Sequence, residues 1–244
     1  MSVLFTRRGA PPVLGNKASD YAVGESVLLN VSGTAREFIV VNQGNPDSGI
    51  YAASCNGTWL LMKDAYEIKR WDQYYNDYKN SEIHEYLNGA FLGLFESAVQ
   101  KVIIQAKIPY KGGAGSYTTQ GVLTGESGLL AKVFLLSGYE IGLTNSASDS
   151  ALRSLPIGEG AKLSYFNSGI DAAAFAKRIA YYNGSLCTWW LRSPSTSTTD
   201  NVWHIRTEGG HYNANGKSNT LYCVRPAIIL PFDTLFDPDT NTIL

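Results

Sequence analysis

Apolar and polar positions alternate most clearly just after the first two dozen residues. VLLNV and REFIVV flank Ser32-Gly33, the pattern of two half-buried strands joined by a tight turn. TWLLMK at 58–63 reads as a third strand. The period then changes: in SEIHEYLNGAFLGLFESAVQ, Ile83, Leu87, Phe91, Leu94 and Phe95 recur at helical spacing behind a cap at Asn80 or Ser81, which predicts one helix. An apolar run ending in KIPY precedes a loop rich in Gly, Ser and Thr, KGGAGSYTTQGVLTGESG, and KVFLLS reads as another strand. The stretch from Ile141 to Gly160 is again loop-like, while AKLSYF and AAAFAKRIAYY predict short helices or turns. TWWLR, NVWHIR and VRPAIIL then close the chain as three strands separated by Gly and Asn turns.

This order of elements predicts one α+β domain over residues 25–244, with short antiparallel strands, one or two helices and much loop. Residues 1–24, with Gly9, Pro11, Pro12, Gly15 and Gly24, read as an extended N-terminal arm. At 244 residues and 44% hydrophobic content the chain can bury a real core. Its 20 Lys and Arg balance 21 Asp and Glu with no block of like charge, so no nucleic-acid footprint is present. The amino terminus has no apolar signal region and no run of 18 apolar residues occurs. We therefore expect synthesis in the cytoplasm without a signal peptide, and no membrane insertion.

Catalytic and metal templates give little. No phosphate-binding glycine loop, HExxH or GxSxG motif occurs. Cys55, Cys187 and Cys223 read as buried small hydrophobes rather than a disulfide frame. His204 and His211 lie seven apart around a Gly-Gly turn that could bring them together, but their spacing matches no ligand pattern, and no metal or cofactor is expected. DPDTN near the end lacks the glycine and distant glutamate of a calcium loop and reads as a solvated turn.

The unusual stretch lies between WWL and VRPAIIL. Residues 195–219 hold eleven Ser, Thr or Asn beside Trp203, His204, Arg206, His211 and Tyr212, a mixture similar to an antibody paratope, where rigid aromatics supply area and small polar groups adapt. An ordinary hairpin with polar turns explains the composition equally well.

WWLRSP at 189–194, NVW at 201–203, the Gly-Gly turn and VRPAIIL at 224–230 resemble the C-terminal signature of a C-type-lectin-like domain family found in phage and prophage proteins of gut Firmicutes. FTRRGAPP, GTWLLMKDAYE, IHEYLN, AKVFLLSGYEIG and KRIAYYNG extend the resemblance over nearly the whole chain. That family is related in fold to formylglycine-generating enzymes and to the variable proteins of diversity-generating retroelements. The resemblance implies a C-type-lectin-like fold in a non-enzymatic ligand- or receptor-binding protein of a phage tail tip or fibre, carried in the virion. Its partners would be a host cell-surface protein or glycan and, through the arm, other phage structural proteins. A homo-oligomer would add avidity.

The implied ligand-binding residues are Ser195, Thr196, Ser197, Thr199, Asp200, Asn201, Trp203, His204, Arg206, Thr207, His211, Tyr212, Asn213, Asn215 and Asn219. Trp189, Trp190, Arg192 and Arg225 are the implied framework, since an Arg among apolar residues needs fixed acceptors. Retroelement diversification, as understood in related proteins, reaches neither Trp, Glu nor Lys, so Trp203, Glu208 and Lys217 are expected to be fixed if the segment is diversified. Cys187 and Cys223 are the only counterparts of the enzyme branch's thiols, without its substrate-groove motifs. Two further readings stay open: an enzyme acting on cell-wall or capsule polysaccharide through carboxylates such as Asp200 and Glu208, and a purely structural virion protein.

Overall fold

The computed structural model describes residues 15–74, 76–113, 121–149, 152–215, 220–240 and 242–244. In chain order its elements are β1 (Asn16–Lys17), β2 (Ser26–Val31), β3 (Thr34–Gln43), β4 (Thr58–Met62), β5 (Glu67–Lys69), α1 (Glu82–Tyr86), α2 (Ser97–Val102), β6 (Ala106–Ile108) and β7 (Leu129–Ala131). There follow α3 (Ala172–Arg178), β8 (Tyr181–Tyr182), β9 (Ser185–Leu186), β10 (Trp189–Pro194), β11 (Asn201–Ile205), β12 (His211–Asn215), β13 (Tyr222–Val224), β14 (Ala227–Leu230) and β15 (Leu235–Phe236). The longer strands form a sheet ordered β12-β11-β10-β13-β5 and another ordered β14-β4-β3-β2, with β1-β15, β6-β7 and β8-β9 as separate pairs. Small, mainly antiparallel sheets, short helices and long connections make this an α+β protein, as the pattern of elements predicts.

The β2-β3 hairpin forms where the pattern places it, but only β2 is half-buried by alternation; β3 is buried without a break from Phe38 to Asn42. Ser32 and Gly33 both take positive φ, 53° and 73°, the combination whose twist matches that of the two strands. The helix expected after residue 80 is broken instead. Ser81 caps α1 by accepting from the His84 N–H, but the chain then widens into a π-turn over Leu87–Phe91, tightens into a 3-10 turn over Leu92–Leu94, and is extended at Phe95 before α2. Gly89 and Gly93 weaken the helix interior, whereas Ile83, Leu87, Phe91 and Phe95 keep their buried stripe through each change of winding.

Two other expectations change. VRPAIIL is not one strand: Pro226 has no N–H to give, and the chain crosses there from β13 in the five-stranded sheet to β14 in the other. KVFLLS is a buried extended segment that meets β14 only through the Phe134–Ala227 bridge. Part of the expected arm is docked as well. Over residues 15–24, β1 pairs with β15, Gln43 Nε2 donates to the carbonyls of Ala18 and Tyr21, and the Tyr21 ring meets Phe236 edge-on at 5.4 Å. These contacts fix the segment to the domain; residues 1–14 lie outside the described residues. All five tryptophans are buried, so the frame around β10 is stiff.

Candidate functional site

β10, β11 and β12 carry the polar segment. The loop 195–200 joins the first two and the turn 206–210 joins the last two, so they sit at opposite ends of a five-residue strand, roughly 16 Å apart at strand rise. The structure does not bring the expected contact residues into one patch.

The loop end is held from a distance. Asn76, fully buried, directs Nδ2 at the carbonyls of Ser195, Thr198 and Asn201, at 3.4, 2.9 and 3.0 Å. The Ser154 carbonyl accepts the Thr196 N–H at 2.9 Å and its hydroxyl at 3.2 Å, and Trp203 Nε1 reaches the same oxygen at 3.4 Å. The Ser154 hydroxyl accepts from Asn213 Nδ2. Ser195 N–H closes the loop on the Asn201 carbonyl. Held this way, Thr196, Ser197 and Thr198 are exposed and Thr199, Asp200 and Asn201 are half-buried.

At the other end, Gly209 takes φ +84° and lies so close to α3 that a Cβ there would meet the Phe175 carbonyl oxygen at 2.1 Å. The turn is pinned, with Arg206, Thr207 and Glu208 exposed. Arg206 lies over the ring of Tyr212 at 4.8 Å, and Tyr212 is 45% exposed.

Ser195, Trp203 and His204, expected to touch ligand, are interior instead. Val202 to Ile205 are buried without interruption because both faces of β11 are covered. His204 sits in a row with Trp190 and Tyr212 and lies 4.7 Å from the Tyr222 ring; Trp203 and half-buried His211 lie 5.8 Å apart on the opposite face. The register pairs His204 with Tyr212 and Ile205 with His211, so the two histidines project from opposite faces of the sheet and cannot share an ion. Among the described residues no three His, Cys, Asp or Glu converge. Asn213 is half-buried, Asn215 pairs with Asn201 at the end of β12, and Lys217 and Asn219 lie outside the described residues.

Asp200 and Glu208 fall at the two ends of β11, farther apart than the roughly 5–10 Å of a glycosidase pair. Cys187 and Cys223 meet thiol to thiol, both free and buried. The DPDTN turn closes on itself, Asp237 accepting from the N–H groups of Asp239 and Thr240. No helix among the described residues is long and apolar enough to cross a membrane.

Arg192 has the acceptors its burial demands, whereas Arg225 is satisfied only in part, its Nη1 being buried without a hydrogen-bond partner among the described residues. Arg225 Nε donates to the Met62 carbonyl and its guanidinium lies over Trp189 at 5.1 Å. Arg192 grips Glu140 through both terminal nitrogens, at 2.5 and 2.6 Å, and donates to the carbonyls of Pro109 and Leu135. Glu140 also accepts from Tyr51 Oη and the Ser137 N–H. One residue along, Ser193 donates to a second buried carboxyl, Glu159, which also accepts the Lys111 N–H. The foot of the loop thus stands on a buried polar network that no local motif marks: Asn76 lies 119–125 positions from the carbonyls it binds, and Glu140 lies 52 from Arg192.

This network carries opposing pH terms. Burial, opposed mainly by Arg192, pushes the Glu159 carboxyl up to about 7, and burial pushes the His204 imidazole down to about 4. Between the unfolded carboxyl value near ~4.3 and about 7, folded Glu159 keeps a proton that the unfolded chain has released; its contribution is full at low pH and is lost as pH rises. For His204 the unfolded chain holds the extra proton between about 4 and ~6.5, so its contribution is full above that window and is lost as pH falls. Each is on the order of 3 kcal/mol, and over pH 4.5–6.5 they offset. Glu159→Gln is expected to remove the term that falls with pH, so that across that window stability in urea unfolding rises by about 3 kcal/mol more in the variant than in the wild type. Parallel profiles for the two proteins would remove Glu159 as the titrating group.

One family model, described as Domain of unknown function (DUF6273), matches residues 56–232, which include both ends of the hairpin and, apart from Tyr51, the network beneath them. No curated protein and no solved structure matches the chain.

Proposed function

The chain belongs to the DUF6273 family, and from that premise we propose that it is a binding protein without catalytic activity, a C-type-lectin-like domain of a phage or prophage tail tip or fibre that recognises a host-surface protein or glycan. The observation that carries this reading is the loop at 196–200, whose backbone is captured by Asn76 and Ser154 so that its hydroxyls are presented on a fixed frame. A preorganised polar loop loses little entropy on binding, which is how small side chains reach useful affinity. Other virion proteins would be met through the N-terminal segment, and several copies per particle would raise avidity.

The test compares wild type with two variants on host cells and on a panel of glycans and surface proteins. In one, Thr196, Ser197 and Thr198 become alanine; in the other, Arg206 and Tyr212 do. All five side chains are exposed, so both variants should keep the wild-type circular dichroism. Saturable binding weakened by roughly tenfold or more in the first variant alone supports the loop as the recognition surface. Loss in the second alone moves the site to the other end of β11. Equal binding by all three proteins, or binding by none, overturns the reading.

A further inference from the structure

Away from the hairpin, a cavity of about 420 Å³ lies where α1 meets β7. Lys79, His84 and Ser127 line it with Tyr110, and Leu123 and Leu129 supply apolar wall. The surroundings of its histidine favour one tautomer. Asn88 Oδ1 accepts the N–H groups of Lys132 and Val133 at 2.9 and 3.2 Å, which fixes the amide's orientation. Asn88 Nδ2 donates to the carbonyls of Val133 and His84 at 2.9 and 3.2 Å and also faces His84 Nδ1, at 3.3 Å. An amide nitrogen has no lone pair to offer, so an Nδ1–H would face another donor, which favours the neutral ring with its proton on Nε2. Burial lowers the His84 pKa, which keeps the ring neutral at pH 7. The ring is further fixed edge-on against buried Tyr78, at 5.0 Å, and among the described residues Nε2 meets no acceptor.

The rest of the cavity asks for the same kind of ligand. Lys79 is exposed and forms no ion pair among the described residues. The nearby Asp77 carboxylate is engaged through both oxygens, by the Tyr110 hydroxyl and by Asn80 Nδ2. Donors therefore converge on a half-apolar space. We propose that this cavity binds a small carboxylate with an apolar body, the carboxylate accepting from His84 Nε2 and Lys79 Nζ and the body lying against Leu123 and Leu129. An ammonium group would be repelled by Lys79 and could not accept from His84 Nε2.

The probe is sodium hexanoate, titrated into the isotopically labelled full chain, with hexylammonium and 1-hexanol as controls. Saturable shifts at the His84 ring and at Leu123 and Leu129 are expected, with nitrogen shifts that place the proton on Nε2. Affinity should fall roughly tenfold in Lys79→Gln and in His84→Phe, which keeps a ring against Tyr78, and 1-hexanol should bind roughly tenfold more weakly than hexanoate. If His84→Phe does not fold, Lys79→Gln decides alone, since that side chain is exposed. The proposal is overturned if hexanoate gives no saturable shift, if hexylammonium binds as well, if affinity is unchanged in Lys79→Gln, or if the His84 proton sits on Nδ1.

Discussion

Replacing Trp203 by alanine is expected to destabilise the protein by about 3–5 kcal/mol, the range for truncating a fully buried aromatic. The side chain has no exposed surface and its Nε1 donates to the Ser154 carbonyl. Removing it leaves a large void between β11 and the 152–155 segment, and loosens the anchor that also holds Thr196. Arg206→Ala and Tyr212→Ala remove an exposed cation–π pair at 4.8 Å, which contributes about 0.5–1 kcal/mol at most. Urea unfolding of the three variants at one pH separates these cases. A Trp203→Ala protein as stable as wild type, but unable to bind, would return Trp203 to the set of direct ligand contacts.

That contrast shows which parts of the site can be read from local sequence. Alternation located β2, and apolar blocks located β3, β4, β10 and β14, β3 being buried from Phe38 to Asn42 and β4 throughout. Alternation does not carry over to β11. Val202, Trp203, His204 and Ile205 are buried in succession, as in a strand covered on both faces, but His204 puts a polar residue into that run and Ser- and Asn-rich text flanks it. The broken helix after Ser81 shows a different failure. Its apolar stripe is helical, but Gly89 and Gly93 let the winding change while the stripe stays buried. Asn76, Glu140, Ser154 and Glu159 had no local signal, since each works on backbone or charge brought near by the fold. Only the demand was visible: Arg192 inside an apolar block requires acceptors, without saying which residues supply them.

The same demand sets the cost of removing Arg192. Arg192→Met is expected to lower stability by about 3–5 kcal/mol, because it leaves the Glu140 carboxylate buried without its cation. The carbonyls of Pro109 and Leu135 lose a donor in the same step. For a domain of this size each kcal/mol shifts the melting temperature by about 2–4 °C, so a fall of roughly 6–20 °C is expected. Glu140→Gln should also be costly, since it leaves the guanidinium unpaired, yet the double variant should cost about 1–3 kcal/mol less than the sum of the two singles, because neither charge then remains alone. Strictly additive costs would mean that the two groups contribute independently. The pair also bears on the hairpin's open end. Arg192 is followed directly by Ser193, which donates to Glu159, and two residues later by Ser195, whose carbonyl is held by Asn76. An Arg192→Met protein that still folds at low temperature should therefore bind more weakly than wild type even though every exposed hydroxyl of the loop is intact, because its loop is no longer presented in one fixed shape.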